Sequence, residues 1–411
     1  MFCPGGGKSL RTLDDEIEKG MCIRPMSPLA LLFILSFLVA VDIRILAPVL
    51  PSISNSLGSS PGTIGLAMTT YSLAYGTGQL FYGPLSDRLG RIAVVRAAGV
   101  GFCICTILSA LTITTWQFIL VRLLAGALAG AVLPLTLVFI GDTVEYERRQ
   151  LVLGRFAAIN SAAIAFSASI GGTIAYFVSW RLMLIGNATL ALIPLVFLWR
   201  LDTRTTGETA ACVDRYIDLL RNRRALFVYA AVFLQGFLLW GGMTYFGSFG
   251  IHRYNLDQFT VGMLIALFGI GMMTSGLLMG RIRRRFSENT LAIAGGLLMG
   301  LSYLAFIPRW PMPVFAVGML AMGLGYASLH TTLQLRGTEI SATSRGKAFS
   351  LFAFSLFGGL SIGSAAFGWL VDAGWYEAVF AIAGIGLIGV GFATALAPQG
   401  RASSQCPTMG L

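Results

Sequence analysis

The chain of 411 residues is 56% hydrophobic and only 11% charged, with a mean hydropathy of +0.77, which excludes an ordinary soluble globular protein. A net charge of +11 would suggest nucleic acid as the partner of a soluble chain, but here the basic residues follow the breaks between apolar runs, so no nucleic-acid partner is expected. His252 and His330 are the only histidines and the six cysteines keep no ligand or bridge spacing, so neither a metal nor another cofactor is expected, and no disulfide framework.

Residues 1–27 form a polar tail of mixed charge. Within it Gly5-Gly6-Gly7-Lys8-Ser9 imitates the end of a phosphate-binding loop, but Phe2 stands where the first glycine of G-x-x-x-x-G-K belongs, and nucleotide binding is not expected. Six apolar runs follow, at 28–50, 62–82, 92–111, 116–140, 151–178 and 182–200. Each approaches the roughly 20 residues that carry a helix across a hydrocarbon core of about 30 Å. The first lacks a small-residue cleavage site and reads as a retained span rather than a signal peptide.

A hydrophilic stretch, 201–224, comes next, and its Tyr216-Ile217-Asp218-Leu219-Leu220 segment suits a short amphipathic helix lying on the membrane surface. Six further runs occupy 225–248, 258–280, 289–308, 312–335, 346–370 and 375–397, before a tail at 398–411. The expected fold is an all-α membrane protein of twelve transmembrane helices in two pseudo-symmetric six-helix bundles, 28–200 and 225–397, joined by the 201–224 linker. Matching landmarks support the duplication: Gly83 ends span 2 before a basic turn as Gly280 ends span 8, and Arg148-Arg149 follows span 4 as Arg345 follows span 10.

Charge sets the expected orientation. With both termini cytosolic, only Arg181, Arg253 and Arg309 fall outside and Arg44, Arg96 and Arg122 within spans, so the remaining 23 of the 29 Lys and Arg residues face the cytosol. The lipid bilayer is the expected partner.

Gly83-Pro84-Leu85-Ser86-Asp87-Arg88-Leu89-Gly90-Arg91 reads as a tight charged turn between spans 2 and 3. Gly83 allows close helix contact, Pro84 limits helical continuation, and Asp87 can meet the positive terminus of span 3. The stretch resembles the signature G-x-L-a-D-r-x-G-r of the major facilitator superfamily of secondary transporters, with Gly83, Asp87, Arg88, Gly90 and Arg91 in register. Asp42 through Pro48, Leu50 and Pro51 further resemble the D-x-x-x-x-x-P-x-L-P pattern of bacterial 12-span drug:proton antiporters. The resemblance that residues 42–51 and 83–91 carry implies the major facilitator fold, transport rather than catalysis, and alternating access. It implies as well a plasma membrane, here a bacterial inner membrane, as the location, a small-molecule substrate and a monomeric chain. It also implies a conformational latch in which Arg91 pairs with Asp142 at the cytosolic end of span 4.

Asp42 is the one acid deep within a predicted span, which makes it a functional candidate in its own right. Counting 1.5 Å per residue puts it roughly 21 Å from the cytosolic face and Arg122 roughly 9 Å below the outer one, so the two reach one level in a core of about 30 Å. Arg122 also stands where the resemblance places a span-4 arginine, although Ala125 replaces the Gln of R-x-x-q-G. Asp42 and Arg122 are therefore the expected proton-coupling pair, with the proton as coupling ion. Arg44, about 200° around the helix from Asp42 and nearer the outer surface, is a cavity or substrate candidate expected toward the outer mouth.

In span 5 the antiporter signature survives only as Gly171 and Gly172, with Ser167-Ala168 in place of its Gly-Pro, which leaves proton symport or facilitated diffusion of a metabolite open beside antiport. Gly359 and Gly363 give close-packing spacing in span 11. Tyr71, Tyr75, Gln79, Asn160, Gln235, Trp240, Tyr245, His330 and Gln334 are the expected cavity residues. Taken together they suit a small, moderately apolar or aromatic solute.

Overall fold

The computed structural model describes residues 27–200, 216–308, 310–338, 340 and 345–397. The Gly5–Ser9 run, the tail 398–411, most of the linker and Cys3, Cys22, Cys212 and Cys406 lie outside the described residues. Within them the chain is helical, with no strand.

The first bundle comprises α1 (Pro28–Leu57), α2 (Pro61–Leu89), α3 (Arg91–Leu111), α4 (Thr115–Thr143), α5 (Tyr146–Phe177) and α6 (Trp180–Trp199). The second comprises α7 (Arg223–Tyr254), α8 (Gln258–Arg285), α9 (Glu288–Ala305), α10 (Met312–Thr338), α11 (Arg345–Asp372) and α12 (Tyr376–Leu396), preceded by the short helix Tyr216–Arg221. Side-chain caps start many of them: Ser27 receives Ala30 N, Asp257 receives Thr260 N, Ser287 receives Thr290 N, and Thr114 and Gln117 form a reciprocal capping box.

Three helices are interrupted. In α1 the regular helix stops at Ile45 and resumes at Leu50 after a 3₁₀ turn at Ala47–Val49, where Pro48 and Pro51 remove ladder donors. In α4 the interruption lies at Gly130 and Ala131. In α7 a π turn, Gly236–Trp240, inserts an extra residue that re-aims the side chains after it.

Two expected turns prove helical. α2 runs through Gly83 and Pro84 to Leu89, and its break is confined to Gly90, whose φ of +89° is open to glycine without strain. Pro84 removes one donor near the helix end, but the final turn is fastened by Gly90 N to Ser86 O at 2.9 Å and by Ser86 Oγ to Gly83 O at 2.8 Å. Likewise α8 passes Gly280 and ends after Arg285.

Ten of these helices are long and apolar enough to cross a membrane by length and composition. The other two are α2 and α9. α2 has the length, at 29 residues, but its Thr, Ser, Tyr, Gly and Gln residues dilute its hydropathy because it packs against α11 and α4 rather than presenting all its faces to lipid. α9 has 18 residues and begins with Glu288 and Asn289.

Small residues bring the bundles together where hydrophobicity gives no drive in lipid. A Cβ on Gly262 of α8 would sit 2.6 Å from Ala168 O of α5, and one on Gly247 of α7 2.7 Å from Ala47 O of α1. Away from the Gly90 end, Thr69 Oγ1 of α2 lies 2.7 Å from Ser364 Oγ of α11, and Ser361 Oγ donates to Thr69 O at 2.8 Å. The bundles are thus joined along the half remote from the arginine-rich Gly90 end.

Candidate functional site

Asp42 and Arg122 form a bidentate ion pair between α1 and α4. Arg122 Nη2 donates to Asp42 Oδ2 at 2.9 Å and Nη1 to Oδ1 at 3.3 Å, and both side chains are 0% exposed. The guanidinium also lies over the Tyr71 ring, 4.3 Å from its centroid. Such a pair gains its geometry at the cost of desolvating two charges, and removing one partner strands the other.

Arg44 does not join this pair. It crosses the bundle interface and lays its guanidinium 3.4 Å above the ring of Trp240, at the end of the π turn in α7. Arg44 thus stands in the wall of a pocket between the bundles, which Ala47, Met68, Ser167, Thr244, Ile265 and Phe268 help to line. The reason is the geometry of α1: the turn that faces Arg122 with Asp42 faces the second bundle with Arg44, two residues on. A desolvated cation–π contact is worth about 2 kcal/mol, whereas burying a charge costs several kcal/mol. Arg44 is only half-buried, so solvent meets part of that cost and the stack on Trp240 another part.

Around the pocket in the second bundle, Gln235 Oε1 lies 2.9 Å from His330 Nδ1, and the His330 ring stacks on Tyr326 at 4.8 Å. Trp240 packs edge-on against both Tyr326 and Phe268, each at 5.3 Å. Gln235, Trp240 and His330 are thus brought together, with Gln334 one turn beyond His330 on α10. On the first bundle, Tyr71 stacks on Tyr75 at 6.3 Å, Gln79 is buried one turn further, and Tyr75 reaches across to Phe357 of α11 at 4.5 Å.

Others of the expected set go elsewhere. Tyr245 is 0% exposed and donates its hydroxyl to Ser364 O at 2.7 Å beside Gly65, so it is a packing residue and not a cavity wall. Asn160 donates to Phe156 O at 2.9 Å on its own helix. Gly171 receives Ile45 of α1 and Gly172 approaches Gln258 O of α8, while Gly359 and Gly363 accept Phe233 and Phe237 of α7.

At the Gly90 end Arg91 gathers three acceptors. Nε donates to Asp142 Oδ2 at 3.2 Å, Nη1 to Ser86 Oγ at 2.6 Å, and Nη1 also meets Asp87 Oδ1. The cluster ties α2, α3 and α4 within the first bundle. Arg88 is exposed on a groove it shares with Phe81, Leu85 and Ala127, and nothing lies within 4 Å of a Cβ position on Gly83.

At the opposite end Asp372, the last residue of α11, caps α2 across the bundle boundary. Its Oδ1 accepts Gly62 N–H at 2.8 Å and its Oδ2 the Ser60 hydroxyl at 2.6 Å. A carboxylate is unfavourable at the C-terminus of its own helix and favourable at the N-terminus of another, so the α2 terminus offsets the placement.

The family model described as Major Facilitator Superfamily matches residues 32–339 and 252–405, which together span both bundles. The chain belongs to the Major Facilitator Superfamily. It is accordingly an integral membrane protein that transports small molecules and is not an enzyme. Among related superfamily members, a chloramphenicol resistance protein of Pseudomonas aeruginosa is 26% identical over 68% of this chain and 69% of its own. An MFS-type transporter of Bacillus subtilis (strain 168), YceJ, is 25% identical over 84% of this chain and 89% of its own.

Superfamily structures share the fold. The nucleoside transporter NupG superposes with a TM-score of 0.75 at 16% identity, covering 90% of this chain and 99% of NupG. A bacterial homologue of the human lysosomal transporter Spinster, in an inward-facing and unoccupied conformation, gives 0.71 at 15% identity, covering 92% and 95%.

Two contacts, one in the pocket wall and one across the bundle boundary, escape sequence reading. Tyr326 and Phe268, which hold Trp240, look like any apolar-helix aromatics. Ser60-Pro61 is a legible helix start, but nothing local signals that its second acceptor lies 312 residues away.

Proposed function

We propose that the protein is a proton-coupled secondary transporter that exports a small, moderately apolar compound by alternating access across a bacterial inner membrane, as a monomer with both termini in the cytosol. The observation that carries the reading is the fully buried Asp42–Arg122 pair between α1 and α4, with Asp42 two residues from Arg44 in the wall of a pocket between the bundles. In the conformation described, the bundles are joined away from the arginine-rich end, which the positive-inside bias assigns to the cytosol. Rocking of the bundles exposes Asp42 to the outer side, where it takes a proton and releases Arg122; on return, Arg122 re-forms the pair and the proton leaves inward. The Arg91 cluster keeps the cytosolic end of the first bundle rigid while the second moves against it.

The name of the chloramphenicol resistance relative favours export. Ser167-Ala168 at the Gly-Pro place of the antiporter signature favours the second reading, proton symport or facilitated diffusion of a metabolite. Reconstituted vesicles enclosing a pH-sensitive dye separate the two. Under antiport, adding a transported compound on one side moves protons to that same side; symport moves protons with the compound, and a facilitator moves none.

A further inference from the structure

We infer that the pocket between α1, α2, α5, α7 and α8 takes a compound with one negative charge on an apolar or aromatic body, and that Arg44 recognises that charge. This rests on the transport reading and narrows its substrate class.

Arg44 is the one charged residue of the pocket wall. Among the described residues it makes no ion pair and no hydrogen bond, whereas other arginines on the helices are engaged. Arg122 holds Asp42, Arg96 donates to Leu198 O, and Arg336 donates to Thr394 O and Asn289 Oδ1. A cation left unpaired in an apolar wall is a standing preference for an anion.

Besides Arg44 the wall offers one free donor, the buried Trp240 indole N–H, and the two hydroxyls offer none. Thr244 Oγ1 already donates to Trp240 O at 2.9 Å and Ser167 Oγ to Ile164 O at 3.1 Å, so both present lone pairs and no proton to an incoming anion. A cationic compound would meet Arg44 and find no carboxylate, because Asp42 is 0% exposed and held by Arg122. A neutral one would fill the apolar wall of Met68, Ile164, Ile265 and Phe268 and leave the guanidinium unpaired. One guanidinium balances one charge.

With its face on the Trp240 ring, Arg44 keeps the N–H edge that binds a carboxylate in a fork. The free volume beside it is about 20 Å³, close to that of one water, so in this conformation the pocket has closed on its own side chains. A ligand body must therefore disturb the Arg44–Trp240 stack, and Trp240 emission reports the event.

The test uses the full chain in detergent and three probes of one shape: 4-phenylbutyrate, 4-phenylbutanamide and 4-phenylbutylamine. Binding is followed by thermal stabilisation and by tryptophan emission, with Trp240→Phe assigning the optical signal. The acid is expected to bind tighter than the amide and the amine by about tenfold or more. Arg44→Gln should reduce it to the level of the amide, and Arg44→Lys should keep the order of preference. Gel filtration and circular dichroism establish that both variants fold, and a misfolded Arg44→Gln leaves the three-probe order in wild type and Arg44→Lys as the deciding result. Equal binding of the amide or amine, no binding of any probe, or an acid affinity unchanged in Arg44→Gln each overturns the inference. Charge-selective binding without flux would sink the transport reading instead, and pH-driven flux of the amine untouched by Arg44→Gln would sink the inference alone.

Discussion

Replacing Asp372 by alanine should open the end of the molecule remote from Arg91. Asp372 accepts two hydrogen bonds from the start of α2, at 2.8 Å and 2.6 Å, and they join α11 to the other bundle. Hydrogen bonds to a charged group are worth about 1.5–3 kcal/mol each when buried. Here the gross value must be reduced, because Asp372 is exposed and water solvates it on opening. Ser60 also keeps its own cap, receiving Thr63 N at 3.2 Å in either state. A net loss of about 1 kcal/mol remains, or a shift of about fivefold in the ratio of open to closed at that end. Asp372→Asn retains one acceptor and should fall between.

The assay is a distance distribution between spin labels at Ile113 and Trp375, both exposed at that end and on different bundles, in a chain whose six cysteines have been replaced. The longer-distance population should grow in the order wild type, Asp372→Asn, Asp372→Ala. Identical distributions for all three would show that the trans-bundle cap carries no conformational weight.

Further variants test other joints. Gly126→Val would drive a branched side chain into the Tyr71 backbone, whose Cα is 2.8 Å from the Cβ position, and should destabilise the first bundle by about 3 kcal/mol or more, seen as a lowered melting temperature in detergent. Arg122→Met leaves Asp42 buried without a partner and should cost about 3–5 kcal/mol of stability, while adding Asp42→Asn should recover most of it; a double variant no better than the single one would contradict the pairing energy. Arg91→Ala removes contacts whose acids are 40–49% exposed, so its stability cost should stay near 1 kcal/mol, with any larger change found in the transport rate.

How far the sequence reaches differs by feature. The helices were legible because lipid demands long apolar runs and punishes irregular backbone, so runs, capping serines and basic breaks coincide. The Gly83–Arg91 stretch was legible as a motif but not in shape, since a proline near a helix end is outweighed by local bonds such as that of Ser86 to Gly83. The level of Asp42 and Arg122 followed from 1.5 Å per residue, because the breaks in α1 and α4 come only after these residues, counted from a recognisable end. The partner of Arg44 was not legible for the opposite reason. The surroundings of Arg44 depend on the 3₁₀ break after Ile45 and on a π turn in another bundle, and neither leaves a periodicity to read. Tyr245 shows the same limit, since a tyrosine in an apolar helix looks alike whether it lines a cavity or donates to a neighbouring carbonyl.

The measurement that bears most directly on the account is proton-coupled flux in inverted vesicles, comparing wild type with Asp42→Asn. The asparagine preserves shape and cannot exchange a proton at neutral pH, so the account predicts that an imposed pH gradient no longer drives accumulation while the folded protein remains in the membrane. Accumulation by Asp42→Asn at the wild-type rate, with the same dependence on the gradient, would contradict it.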